Sequence, residues 1–149
     1  MNAHLPILPV LIPVLSAAVM VALSRQDLVL ARVLSFIAAA AQLVVASLLF
    51  AAVGEGEVLV YRLGDWPAPY GIALVADRLS AAMVLLTAAL GAVLLLHAVC
   101  AWDRRGRHFH PLFQFQLMGI YGAFLTGDFF NLFVFFEVML IASYGLMVH

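Results

Sequence analysis

Glu137 stands nine residues into Phe129–Val148, a run that otherwise reads as a membrane-spanning helix. At 1.5 Å per residue the carboxylate lies about 13 Å along the axis, near the middle of a hydrocarbon core about 30 Å thick. A charge at that depth is costly and marks proton or ion handling by default. Burial favours the protonated form of a carboxyl group and a nearby cation the ionised form, so a group set between the two can load and release a proton. The plainer alternative is a carboxyl kept protonated by a helix–helix hydrogen bond. No basic residue of this chain is expected at the same depth to pair with it.

Helical spacing places Phe130, Phe133, Val134, Ile141 and Tyr144 on the face of Glu137. That is an aromatic wall with one hydroxyl, which would restrict water or simply pack. Asp128 is positioned to cap the helix, with Gly127 before it allowing a tight reversal. Asn131, one turn in, is a buried polar group in need of partners. Nine residues of helix turn through about 900°, so Asp128 and Glu137 lie on opposite faces. His97, near one end of an earlier apolar run, exchanges protons near neutrality and is either a relay or a hydrogen-bonded structural residue. Asp77 reads as another cap. His108-Phe-His110 is at best two ligands, and no resident metal or cofactor site is expected; where a transported cation would bind is left open. The lone Cys100 can form no internal disulfide.

Hydrophobic residues make up 66% of the 149 and charged residues 10%, with a mean hydropathy of +1.14. A soluble domain carries about a quarter charged residues, so the fold class is an all-α integral membrane protein. Five spans are expected, at about 5–23, 33–53, 79–102, 109–126 and 129–148, in a single membrane domain. The fourth is short and carries Gln114, Gln116, Gly119 and Gly122, which suits an interior helix in close contact with others. The first contains Pro6, Pro9 and Pro13 and has no basic flank, which favours a retained helix over a cleaved signal. Arg25, Arg32, Arg104, Arg105 and Arg107 fall on one side, Arg62 and Arg78 on the other, which places the N-terminus outside. Net charge −1 without lysine excludes the basic patch that nucleic acids require. Between the second and third spans, Glu57–Gly64 and Tyr70–Val75 are β-prone runs around Asp65-Trp-Pro-Ala-Pro69, and predict a short extracytoplasmic β-hairpin-like loop, with an irregular loop as the plainer alternative. Trp66 and Tyr70 would suit the headgroup level.

The run Thr126-Gly-Asp-Phe-Phe-Asn-Leu-Phe-Val-Phe-Phe-Glu137-Val-Met-Leu-Ile-Ala-Ser-Tyr-Gly145 resembles the D-type subunit of the Mrp-type multisubunit Na⁺/H⁺ antiporters. So do His4-Leu-Pro-Ile-Leu-Pro9, Leu63-Gly-Asp-Trp-Pro-Ala-Pro-Tyr-Gly-Ile72 and Val75-Ala-Asp-Arg-Leu-Ser80. The resemblance covers essentially the whole chain and extends to antiporter-like subunits of respiratory complex I and membrane-bound hydrogenases. It implies the N-terminal part of a fold of about fourteen helices with inverted repeats, in which the residue matching Glu137 pairs with a lysine on a later helix. That lysine is not among these 149 residues, so the chain is expected to be truncated. The resemblance further implies a secondary transporter rather than an enzyme, in the bacterial inner membrane. Protons and monovalent cations would be its substrates, other membrane subunits and the lipid bilayer its partners. Glu137 would carry the proton, supported by Asp128, Asn131, Tyr144 and His97. The rival readings are a proton-pumping subunit of a redox enzyme and an inactive structural fragment.

Overall fold

The computed structural model describes residues 2–23, 27–54, 56–66, 71–104, 106 and 108–148. Expectations for Arg25, Pro67–Tyr70, Arg105 and Arg107 lie outside the described residues. A 3₁₀ segment, Asn2–Ile7, leads into helix α1, Leu8–Leu23, and α2 follows at Leu28–Ala52. Strands β1, Leu59–Arg62, and β2, Ala73–Ala76, precede three helices: α3 at Arg78–Ala101, α4 at Phe109–Leu125 and α5 at Phe129–Val148.

Local chemistry sets these boundaries. Pro13 has no N–H, so the Pro9 carbonyl four residues back loses its helical donor. Gln42 of α2 supplies the replacement, its Nε2 donating to Pro9 O at 3.1 Å. Helix α2 starts ahead of the Val33 expected from sequence. Asp27 caps it by accepting from the Val29 and Leu30 amides, and Arg32 lies inside the helix because Asp103 answers its charge. Asp77 and Ser80 cap α3 reciprocally: the Ser80 amide donates to Asp77 Oδ1 at 2.7 Å, and the Asp77 amide to Ser80 Oγ at 2.9 Å.

The β-hairpin forms as an antiparallel pair with Leu59 opposite Ala76 and Arg62 opposite Ala73. It also holds the α4–α5 turn: the Gly127 amide donates to Ala73 O at 2.9 Å, and Leu74 bridges to Thr126. Gly127 is therefore needed for a reason other than the tight reversal. Positive φ among the described glycines occurs at Gly56 and Gly64; at Gly127 a Cβ would come within 2.7 Å of Val75 Cγ2.

Four stretches are long and apolar enough to cross a membrane: His4–Leu23, Leu28–Ala52, Arg78–Cys100 and Phe129–Val148. Helix α4, with 17 residues, is not among them. It is an enclosed helix instead, with nine of its 17 residues buried, packing chiefly against α5 and α1 while α2 packs on α3. Its glycines set the distance to α5. A Cβ on Gly119 would lie 2.9 Å from Met139 Cβ and 3.0 Å from the Phe135 carbonyl oxygen. Because those neighbours include backbone, Gly119→Ala is expected to push α5 outward and cost about 1–3 kcal/mol, the usual penalty for overpacking. Thermal unfolding of the variant in detergent, followed by cleavage at the α4–α5 turn, measures it; an unchanged midpoint would show that the contact yields freely.

Candidate functional site

Helix α5 is apolar nearly all round, so its sequence does not say which face packs inward. In the structure, Asn131 and Ala142 are buried, and Phe135 and Met139 fill the space beside the α4 glycines. Glu137 points the other way and is exposed. The face expected to surround it is exposed with it: Phe130, Phe133, Val134, Ile141 (68%) and Tyr144 (61%). These aromatics form an outer surface of the described helices, not a wall inside them.

The supporting residues separate into different places. Asp128 Oδ1 accepts from the Phe130 amide at 3.1 Å, as a cap does. Its Oδ2 accepts from Asn131 Nδ2 at 2.9 Å, which supplies the partner that the buried amide needs. Tyr144 shares the Glu137 face two turns further on. His97 is exposed on α3 and borders an apolar cleft of about 230 Å³ with Leu94, Trp102, Phe109 and Phe113. None of these side chains is within hydrogen-bonding reach of Glu137 among the described residues.

A second polar centre lies at the end of the bundle where α2 and α4 begin and α3 finishes. Arg32 grips Asp103 through two nitrogens, Nε to Oδ2 at 2.5 Å and Nη2 to Oδ1 at 2.8 Å. His110 Nε2 lies 3.3 Å from the same Oδ2, and its Nδ1 lies 2.9 Å from Ser35 Oγ. The Asp103 and Ser35 side chains are sealed from solvent and His110 is 2% exposed. The Arg32 guanidinium holds the Asp103 carboxyl below the usual carboxylate range, against the opposing effect of burial, and His110 adds to the lowering. With Arg32 and Asp103 cancelling, a neutral imidazole fits both neighbours in the tautomer whose Nε2–H donates to Asp103 while Nδ1 accepts from Ser35 Oγ, which also lies 3.6 Å from Met20 Sδ. The order Asp–His–Ser resembles that of a hydrolase triad, but a fully buried hydroxyl has no access to a substrate. From sequence, Arg32 informs only the orientation and His110 only a metal-ligand fragment. No spacing rule joins residues 71 positions apart; the one local hint is that Arg32 and Ser35 share a face at i, i+3.

No family model matches the chain. It is 47% identical over 151 residues to a protein of Rhizobium meliloti (strain 1021) described as the D-type subunit of a probable K(+)/H(+) antiporter, covering 98% of this chain and 28% of that one. It is 44% identical over 147 residues to the D-type subunit of the Na(+)/H(+) antiporter of Alkalihalophilus pseudofirmus, covering 97% of this chain and 30% of the relative. Among solved structures, it superposes on a chain of the Mrp complex from Dietzia sp. DQ12-45-1b with a TM-score of 0.90 and 37% identity, over 98% of this chain and 27% of that one. The chain thus spans just under a third of the length of the curated relatives it matches.

The Asp103 cluster carries its own expectation. A carboxylate depressed in the folded state contributes stability above its unfolded value of about 4, and that contribution is lost as pH falls through the lower folded value. Asp103→Ala leaves the buried His110 nitrogen without its acceptor and is expected to cost about 1–3 kcal/mol. Unfolding midpoints between neutral pH and pH 3 should converge for the variant and the native protein as the pH falls. A gap that stays constant over that range would show that the Asp103 charge does not stabilise the fold.

Proposed function

We propose a function on the premise that this chain belongs to the D-type subunit family of multisubunit cation/proton antiporters: it works within a membrane subunit that exchanges a monovalent cation for protons, with Glu137 as the proton-carrying group. The observation that supports this reading most is the place of Glu137 on α5. A carboxylate halfway along an apolar helix, turned away from the other described helices, would face hydrocarbon unless further protein covered it. Bilayer energetics make bare lipid an unfavourable neighbour, and the exposed Phe130, Phe133, Ile141 and Tyr144 around it offer an apolar surface for that covering protein. Other membrane subunits or helices are the natural occupants, since the relatives named above are subunits of larger assemblies.

Sodium is the first candidate for the cation, although one of the two relatives is described as a potassium and the other as a sodium antiporter subunit. A redox-driven pump is not favoured, because these antiporter subunits, at 47% and 44% identity, are more similar to the chain than the NADH-quinone oxidoreductase subunit N of Desulforudis audaxviator, at 38%. The protein is a multi-pass membrane protein, and we place it in a bacterial inner membrane with its N-terminus outside. Arg32 and Arg104 lie at the end of the bundle shared by the starts of α2 and α4, and Arg62 and Arg78 at the other; in sequence, Arg25, Arg105 and Arg107 fall within the α1–α2 and α3–α4 connections. The positive-inside rule then makes the Arg32 end cytoplasmic.

In the complete subunit within its assembly, Glu137→Gln is expected to abolish proton-coupled cation exchange in everted vesicles at normal abundance. Full activity in that variant would remove Glu137 from the mechanism. Asp128→Asn is expected to lower abundance first, because it weakens the α5 cap and the tie to Asn131; loss of exchange at normal abundance would instead give Asp128 a direct part in transport.

A further inference from the structure

The apolar cleft beside His97, of about 230 Å³, is built by three helices at the end of the bundle where α3 finishes and α4 begins. Leu94 and His97 of α3 line it together with Trp102, Phe109 and Phe113 come from the start of α4, and Leu146 comes from the end of α5. Its outer side is open: Leu94 is 56% exposed and Trp102 is 53% exposed. A further helix does not fit this space. A helix 10–12 Å across occupies about 400–600 Å³ per turn, so a neighbouring helix would send in one side chain at most. A single acyl chain, thin and flexible, does fit. In a bilayer, however, filling an apolar cleft with an apolar chain gains little, because lipid tails are as apolar as the lining. Any selectivity must therefore come from the mouth of the cleft.

That mouth is positive. Arg104 is exposed and lies two residues from both Trp102 and Gly106, which line the cleft, so its Cα is within about 7 Å of theirs. Helix α4 starts beside it with no side-chain cap at His108, and adds the positive end of its dipole. The carboxylates at this end do not cancel these charges. Asp103 is sealed from solvent and gripped by Arg32. Asp27 is engaged in capping α2, which adds no residue to the lining. His97 stands five residues before Trp102, about 7.5 Å deeper along α3, an exposed polar ring on a helix that otherwise shows Val93, Leu94 and Leu96 to the lipid. We propose that the cleft binds one anionic phospholipid: an acyl chain lies between α3 and α4, the phosphate sits at Arg104 and the start of α4, and an ester oxygen accepts from the His97 ring. Tryptophan favours the headgroup level that Trp102 would then occupy, and basic pockets between membrane helices bind acidic headgroups. This lipid site does not rest on the proposed antiporter function.

The test uses the complete subunit within its assembly, in nanodiscs of phosphatidylcholine with a trace of phosphatidylglycerol that carries a photoreactive diazirine on one acyl chain. A parallel sample carries the diazirine on phosphatidylcholine, and mass spectrometry locates the adducts. Adducts on Leu94, Phe113 or Leu146 are expected from phosphatidylglycerol at about fivefold or more the level from phosphatidylcholine. Arg104→Gln should lower the phosphatidylglycerol labelling about fivefold, the factor one basic residue near an anionic headgroup is worth, and leave the phosphatidylcholine labelling unchanged. Arg62→Gln, at the opposite end, should change neither. Equal labelling by the two lipids would reduce the cleft to ordinary bilayer contact, and an absence of adducts would show that protein covers it. An unchanged ratio in Arg104→Gln would put the headgroup elsewhere; each of these results overturns the proposal. If Arg104→Gln alters the fold, the ratio in the native protein decides. Because no transport is measured, such a failure leaves the role of Glu137 standing, and failure of the Glu137→Gln transport test leaves the lipid site standing.

Discussion

A helix bundle in hydrocarbon must answer each of its polar groups from within, since the solvent offers no partner. That constraint accounts for several of the side-chain bonds among the described residues. Pro13 frees a carbonyl, and Gln42 reaches across from α2 to take it. Asn131 is buried near the start of α5, and Asp128 accepts its amide. Arg32 sits inside α2, and Asp103 comes up from the α3–α4 turn to meet it, bringing His110 and Ser35 into the same chain. The bonds that cross between helices tie together elements that apolar packing alone would leave free to slide, because one apolar face in lipid resembles another.

The hairpin extends the same logic to the opposite end. An isolated two-stranded hairpin is marginal in water. Here it gains a third contact from the α4–α5 turn through Gly127 and Thr126, and Arg78 anchors the neighbouring loop by donating to Gly54 O at 2.9 Å. The bundle is thus clamped at one end by a part-buried ion pair and at the other by backbone pairing. Helices α4 and α5 are held between the two.

What can be read from the sequence is whatever is local or periodic. The apolar runs, the hairpin, and the caps at Asp77 and Asp128 each depend on residues within a few positions of one another, and the structure has them. The start of α2 is misplaced from sequence because Arg32 looks like a boundary; its charge is admissible only through a partner 71 residues away. The Asp103–His110–Ser35 chain is illegible for the same reason. The exposure of Glu137 is hidden differently: with Phe, Leu, Val and Met on every side of α5, periodicity carries no information about which face meets α4.

That face is fixed by small residues on the neighbouring helix. Gly119 and Gly122 open a space on α4 into which Phe135 and Met139 fit. At about 100° per residue, Phe135 and Met139 lie about 40° apart around α5, and Glu137, midway between them in sequence, lies about 180° from the centre of their arc. Seating α5 against the α4 glycines therefore turns the carboxylate directly away from the bundle. No rotamer of Glu137 reverses this, and rotating α5 to bury it would withdraw both large side chains from their slots. The short helix that looks least like a membrane span is thus the one that determines where the membrane carboxylate points. Any partner for Glu137 must accordingly approach from the far side of α5.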